Sequence, residues 1–178
     1  HILKKNLAVY ISFFVRHAAA NSIWVFWGLY LLELGADLFL VGIAMAVNTI
    51  TQFIVMNKFT DKMKSKLLIR WGTLLSAATF FAYSIAANIW QILAIQVLLG
   101  ISWAFLYVGS IRWVTDNTKE KATGIGLLHS SINLSMLVWP IMATTVIGFG
   151  GSYRTVMFVA GGLALLSFLV FDMLRRKR

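Results

Sequence analysis

The chain has 178 residues, of which 60% are hydrophobic and 12% charged, with a formal net charge of +10. This composition excludes an ordinary soluble domain, and the absence of cysteine excludes disulfides and thiol chemistry. The charge would indicate nucleic acid in a soluble protein, but here it lies at the ends of long apolar runs, so no nucleic acid partner is expected.

Apolar runs fill almost the whole chain. Each approaches the roughly 20 residues that an α-helix needs to cross a bilayer, and none shows the apolar–polar alternation of barrel strands. The six runs are Leu7–Leu32, Leu38–Met56, Leu67–Ala87, Ile89–Ile111, Gly124–Ile147 and Val156–Leu174. We therefore predict an all-α membrane protein in which residues 1–178 form a single six-helix transmembrane bundle within the lipid bilayer.

The basic residues predict the orientation of these spans. Fourteen of the 16 lysines and arginines precede the first run, lie in the second and fourth connections, or follow the last run, where the chain ends Arg175-Arg-Lys-Arg178. Cytoplasmic loops carry such an excess of basic residues. The prediction is a multi-pass protein of the cell membrane with both termini in the cytoplasm.

The two halves of the chain show a weak similarity in polarity. The first and fourth runs carry many of the interior polar residues, and the third and sixth are among the most uniformly apolar. Triplets of spans that follow one another have opposite orientations, as in the inverted repeats of several transporters. We therefore predict a 3+3 inverted repeat, although polar residues scattered by chance would produce the same pattern.

The second connection, Asn57–Lys66, resembles the signature loop of the major facilitator superfamily. Its matching charged positions are Asp61, Lys62 and Lys66, whereas Asn57 and Lys64 replace glycines. The fourth connection, over 112–124, and the stretch 139–158 are also similar to that family. The resemblance implies one six-helix half of a twelve-helix transporter. The replaced glycines and the start at His1 favour a C-terminal half.

The resemblance implies that the protein is part of a secondary active transporter, which moves a small solute across the membrane by alternating access. It also implies that a second six-helix half completes a central site. That half is the rest of a longer chain or a second copy in a homodimer. The resemblance implies no cofactor, no metal and no enzymatic activity. A non-transporting six-helix membrane scaffold or sensor subunit is the alternative, because helix packing alone explains most polar residues.

The polar residues inside the spans are the candidates for a substrate cavity. An arginine in mid-membrane normally faces the bundle interior or a watery cavity. Arg16 there favours an anionic solute, whereas Trp24, Trp27 and Trp103 would suit a sugar or an aromatic ring. Structural pairing of Arg16, and ordinary interhelical hydrogen bonds for the hydroxyls and amides, are the alternatives. The candidates are Arg16, His17, Asn21, Trp24, Asn48, Gln52, Trp103, Tyr107, His129 and Asn133.

Charged residues at the second and fourth connections are the candidates for a cytoplasmic gate. A carboxylate at this position can pair with an arginine at the end of a neighbouring span, and the resemblance implies that such groups hold one conformation closed. The candidates are Asp61, Lys62, Lys66 and Arg112.

Overall fold

The computed structural model describes residues 2–176; His1 and the last two residues of the predicted basic tail, Lys177 and Arg178, lie outside the described residues. The part of the chain it describes is helical, with seven α-helices and one 3-10 turn, Thr60–Lys62. The helices are α1 (Ile2–Trp24), α2 (Trp27–Glu33), α3 (Leu38–Lys58), α4 (Ser65–Ile85), α5 (Ile89–Asn117), α6 (Lys121–Gly148) and α7 (Tyr153–Arg176). The predicted all-α class is confirmed.

Four of these helices, α3, α5, α6 and α7, are long and apolar enough to cross a membrane by length and composition. The helices α1 and α4 are more polar. Charged residues interrupt α1 at Lys4, Lys5 and Arg16, and α4 carries Arg70 and a series of hydroxyl side chains. Both α1 and α4 bury much of their length against other helices.

The first predicted span is not one continuous helix. It breaks after Trp24, where the amide of Phe26 bonds to the carbonyl of Ile23 in a tightened turn, and α2 then begins at Trp27. The break allows Trp27 to turn inward onto Tyr83, with ring centroids 4.9 Å apart, while its ring also meets that of Trp24 at 5.3 Å. Tertiary packing of aromatic rings, which periodicity does not encode, thus divides the span.

The helices α4 and α5 form a close antiparallel hairpin. A Cβ atom at Gly72 would lie 2.5 Å from the backbone nitrogen of Leu106, so only glycine permits this approach. One turn further along, the hydroxyls of Ser76 and Ser102 are 2.6 Å apart. Asn88 caps α5 by accepting a hydrogen bond from the amide of Gln91, which fixes the turn between the two helices.

Reciprocal serine contacts join α1 to α7. The hydroxyls of Ser12 and Ser167 are 2.9 Å apart, and each also bonds to the backbone carbonyl of the other residue. These bonds satisfy polar groups that neither lipid nor an apolar core could pair.

Burial is uneven among the helices. The core lies between α1, α4, α5 and α7, whereas α3 packs mainly on α5 and α6 mainly on α1. As a result both α3 and α6 expose large apolar side chains. The exposed side chains include Ile50 and Phe53 on α3, and Leu134, Leu137 and Ile141 on α6.

Candidate functional site

A cavity of about 160 Å³ opens between α1, α3 and α5. Seven of the ten cavity candidates from the sequence meet here, because polar positions on three helices face the same gap. The lining is Arg16, His17, Ala20, Asn21, Trp24, Asn48, Gln52, Leu99 and Trp103.

Arg16 is the only positively charged side chain in this lining, and it is 4% exposed. Its Nε atom donates to the hydroxyl of Ser76 at 2.9 Å. Its guanidinium lies over the rings of Trp103, at 5.1 Å, and Phe80, at 5.6 Å. These contacts hold the planar group in one orientation.

The charge of Arg16 has no acidic partner within the described residues, whose ion pairs all lie elsewhere. A guanidinium has five N–H donors, and one of them is bonded to Ser76. A buried charge is normally paired. The cavity therefore presents unused donors and an uncompensated positive charge.

His17 presents different chemistry at the same wall. Its Nδ1 lies 2.7 Å from the carbonyl oxygen of Phe13, which can only accept, so Nδ1 carries the proton and donates. In the neutral ring Nε2 is then an acceptor, and this atom is buried with no hydrogen-bond partner among residues 2–176. The ring meets Trp103 edge-on at 5.0 Å.

Amide side chains complete the cavity. Gln52 donates to the side-chain oxygen of Asn48 at 2.8 Å on α3. Asn21 donates to the hydroxyl of Ser135 at 2.8 Å and so links α1 to α6. The geometry thus places a charge, amides and an aromatic ring around one gap, a combination of groups that is typical of small-molecule sites.

Three of the cavity candidates do not line this gap. The ring of Tyr107 stacks on Trp103 at 5.3 Å, and His129 meets Tyr107 edge-on at 6.0 Å, so both continue the aromatic wall. Asn133 lies exposed on α6.

Sequence analysis missed Ser76 as a residue of this site. It contributes no atom to the lining, but it bonds Arg16 and lies next to Ser102, and both hydroxyls reach the carbonyl of Gly72 at 2.9 Å. The sequence offers only a weak signal, a serine one helical turn after Gly72 within an apolar run.

A second polar site lies at the end of α5. Arg112 donates through Nη2 to Asp61 at 3.0 Å and through Nη1 to the carbonyls of Met63 at 2.9 Å and Thr60 at 3.3 Å. The arginine thus ties the loop after α3 to α5. The other two gate candidates, Lys62 and Lys66, form no ion pair among the described residues.

Neither site resembles a metal centre. Within residues 2–176, no three His, Cys, Asp or Glu side chains come together as a metal ion requires.

The described part of the chain is a helical bundle with long apolar helices and an open polar cavity, and comparison with known families gives its family. The family model of the Major Facilitator Superfamily matches residues 9–178. The chain therefore belongs to the Major Facilitator Superfamily, a family of membrane transporters, as its signature-loop residues predicted.

Relatives and solved structures agree with this assignment. The chain is 26% identical to the multidrug resistance protein MdtG of Proteus mirabilis, in an alignment that covers 94% of this chain and 44% of the relative. It is 27% identical to multidrug resistance protein 1 of Bacillus subtilis, in an alignment that covers 71% of this chain and 33% of the relative. The chain thus spans less than half the length of these curated relatives.

The fold also matches a solved transporter. The crystal structure of the peptide transporter POT in complex with sulfate superposes with a TM-score of 0.81 over 98% of this chain and 38% of that chain, at 18% identity. This similarity shows the fold.

Proposed function

We propose that this chain is one six-helix half of a secondary transporter that moves a small solute across the cell membrane by alternating access. The observation that carries the proposal is the buried, acid-free guanidinium of Arg16 at the wall of an open cavity. A scaffold or sensor subunit built for packing alone gives no reason to keep such a charge, because an arginine inside the membrane costs a few kcal/mol even on lenient insertion scales.

We further propose six membrane crossings in a 3+3 inverted repeat. In this arrangement α1 and α2 together make the first crossing, and α3 to α7 make the other five. Both termini and the Asp61–Arg112 pair then lie on the cytoplasmic side, where the basic connections are found. The pair links the loop after the second crossing to the end of the fourth, as a cytoplasmic gate requires.

A second six-helix half completes the cavity. Helix α3 lines the cavity, α6 bonds to its wall through Ser135, and both helices expose apolar faces. Covering these faces with a second half would enclose the solute between two halves. That half is the rest of a longer chain or a second copy. The longer chain is better supported, since the curated relatives are more than twice the length that this chain matches.

The solute we propose carries an anionic group. Arg16 offers unused N–H donors and a positive charge that no acid among residues 2–176 neutralises. The ring of Trp103 provides an aromatic contact beside it. A cavity of about 150 Å³ admits benzene, so this chain's share of the site, about 160 Å³, has room for one ring.

Thermal unfolding of the natural protein containing this chain, with benzoate and benzylamine as probes, tests the anionic solute. We expect benzoate to raise the unfolding temperature of the wild type but not of Arg16→Gln, and benzylamine to have no effect. Arg154→Gln is the matched control, because Arg154 bonds the carbonyl of Ser84 and neither residue lines the cavity. Stabilisation by benzylamine alone would overturn the anionic solute.

Accessibility of single cysteines tests transport separately. This chain contributes no native cysteine, so Asn21→Cys places one thiol in the cavity. Alternating access predicts that a membrane-impermeant thiol reagent labels it from either side of the membrane, and that benzoate slows both reactions. Labelling from one side only, under all conditions, would contradict alternating access whatever the solute.

A further inference from the structure

A second charged cluster lies where the basic ends of α4 and α7 meet, and none of its residues lines the cavity. Asp172 is 9% exposed. Its Oδ1 atom is 3.2 Å from Nε of Arg70 and 3.4 Å from Nη2 of Arg175. One carboxylate oxygen thus holds two arginines, and the cluster carries one excess positive charge.

The arginines of this cluster are fixed and still reachable. Their Nε atoms are buried, while the side chains of Arg70 and Arg175 remain 36% and 18% exposed. The guanidinium of Arg70 also lies over the ring of Phe168 at 5.6 Å. A single carboxylate cannot use the ten N–H donors of two guanidinium groups, so donors remain for an external anion.

Exposed apolar side chains beside the two arginines indicate which kind of anion would bind there. Leu67 lies one turn before Arg70 and is 40% exposed, and Trp71 beside it is 48% exposed. On α7, Leu169 lies one turn before Asp172 and is 47% exposed. A molecule bound at the arginines therefore has an apolar surface beside it that a soluble phosphate would not use but an acyl chain would.

We propose that Arg70 and Arg175 bind the headgroup phosphate of an anionic glycerophospholipid whose acyl chain lies along α4 and α7. Arginine suits this role because its planar donors match phosphate oxygens in pairs. Anionic lipids also attract basic residues at the membrane surface. This site is independent of the solute cavity and of the Asp61–Arg112 pair.

Lipid retention by the natural protein containing this chain tests the proposal. The protein is placed in nanodiscs of phosphatidylcholine with or without phosphatidylglycerol, and bound lipid is counted by native mass spectrometry. We expect R70Q and R175Q each to lower retention of phosphatidylglycerol at least about tenfold, because each removes charge-assisted hydrogen bonds to the phosphate and not only a surface charge. K121Q removes an equal charge from the exposed start of α6 and should change nothing.

The variant D172N separates lipid binding from a purely structural ion-pair cluster. Without the competing carboxylate, phosphatidylglycerol should be held as well as in the wild type or about fivefold better. Loss of retention in D172N in parallel with R70Q would overturn the proposal, as would unchanged retention in R70Q and R175Q. If the R70Q protein does not insert into the membrane, retention of phosphatidylglycerol by R175Q and D172N decides between lipid binding and a purely structural cluster. Displacement of the lipid by inorganic phosphate would reassign the site to a soluble anion and also overturn it.

Discussion

The Nε atom of Arg16 donates a hydrogen bond of 2.9 Å to the hydroxyl of Ser76, so α4 holds the buried cation of α1. The same hydroxyl lies 2.6 Å from that of Ser102 on α5. Three helices therefore share one polar contact behind the cavity wall. The direction in which the guanidinium faces depends on a residue that does not line the cavity.

Replacing Ser76 with alanine should destabilise the protein and weaken benzoate binding. The change leaves Nε of Arg16 buried without its partner, which costs about 1–3 kcal/mol, and frees the guanidinium to turn. Chemical unfolding in detergent, with and without benzoate, measures both effects. Thr144→Ala is the control, because its exposed hydroxyl bonds only within α6. Equal stability of the Ser76 variant and the control would contradict this account of Arg16.

Replacing Gly72 with alanine should force α4 and α5 apart. A Cβ atom there would lie 2.5 Å from the backbone nitrogen of Leu106, and backbone cannot move aside as a flexible side chain can. Overpacking of this kind costs about 1–3 kcal/mol. Gly162→Ala is the matched change, since nothing lies within 4 Å of its new methyl group. A lower unfolding temperature for Gly72→Ala alone is the expected result; equal temperatures would refute the close hairpin.

The partners of Arg112 predict unequal effects at the proposed gate. Asp61→Asn removes an ion pair whose carboxylate side chain is 91% exposed, so stability should change by less than about 1 kcal/mol. Arg112→Gln also removes the bonds to the carbonyls of Thr60 and Met63 and should destabilise the protein more. Both variants should insert normally and slow solute uptake into vesicles. Wild-type uptake by Asp61→Asn would remove this residue from the gate.

Cysteine cross-linking tests the packing of α1 on α7. The hydroxyls of Ser12 and Ser167 are 2.9 Å apart, so the double variant Ser12→Cys with Ser167→Cys should form a disulfide on mild oxidation. Proteolysis between the two positions followed by gel electrophoresis detects it. Ser12→Cys with Thr49→Cys should not cross-link, because Thr49 is exposed on α3. The reverse pattern would mean that α1 packs elsewhere.

Much of the fold was predictable because each helix depends on its own local sequence, an apolar run bounded by charged or turn residues. The predicted start of the second span, Leu38, is the first residue of α3, and the fourth predicted span begins with α5 at Ile89. The division of the first span after Trp24 was not predictable. It depends on how Trp27 packs against Tyr83, a residue 56 positions away in sequence.

The cavity lining was predictable for the same local reason. An ionisable or amide side chain inside an apolar helix normally faces the protein interior, and this rule indicated Arg16 and Asn48, which meet at one gap from two helices, but it failed for Asn133, which is exposed on α6. It could not separate lining residues from their neighbours. Tyr107 and His129 extend the aromatic wall instead of bordering the gap, and Ser76 acts only through the register of the α4–α5 hairpin.

The order of synthesis gives the Arg16–Ser76 bond a consequence for insertion. The ribosome makes Arg16 before Ser76, which follows 60 residues later in the chain. Until α4 arrives, α1 carries a cation whose hydroxyl partner has not yet been made. The contact that holds the guanidinium of Arg16 therefore forms only after the ribosome has reached Ser76.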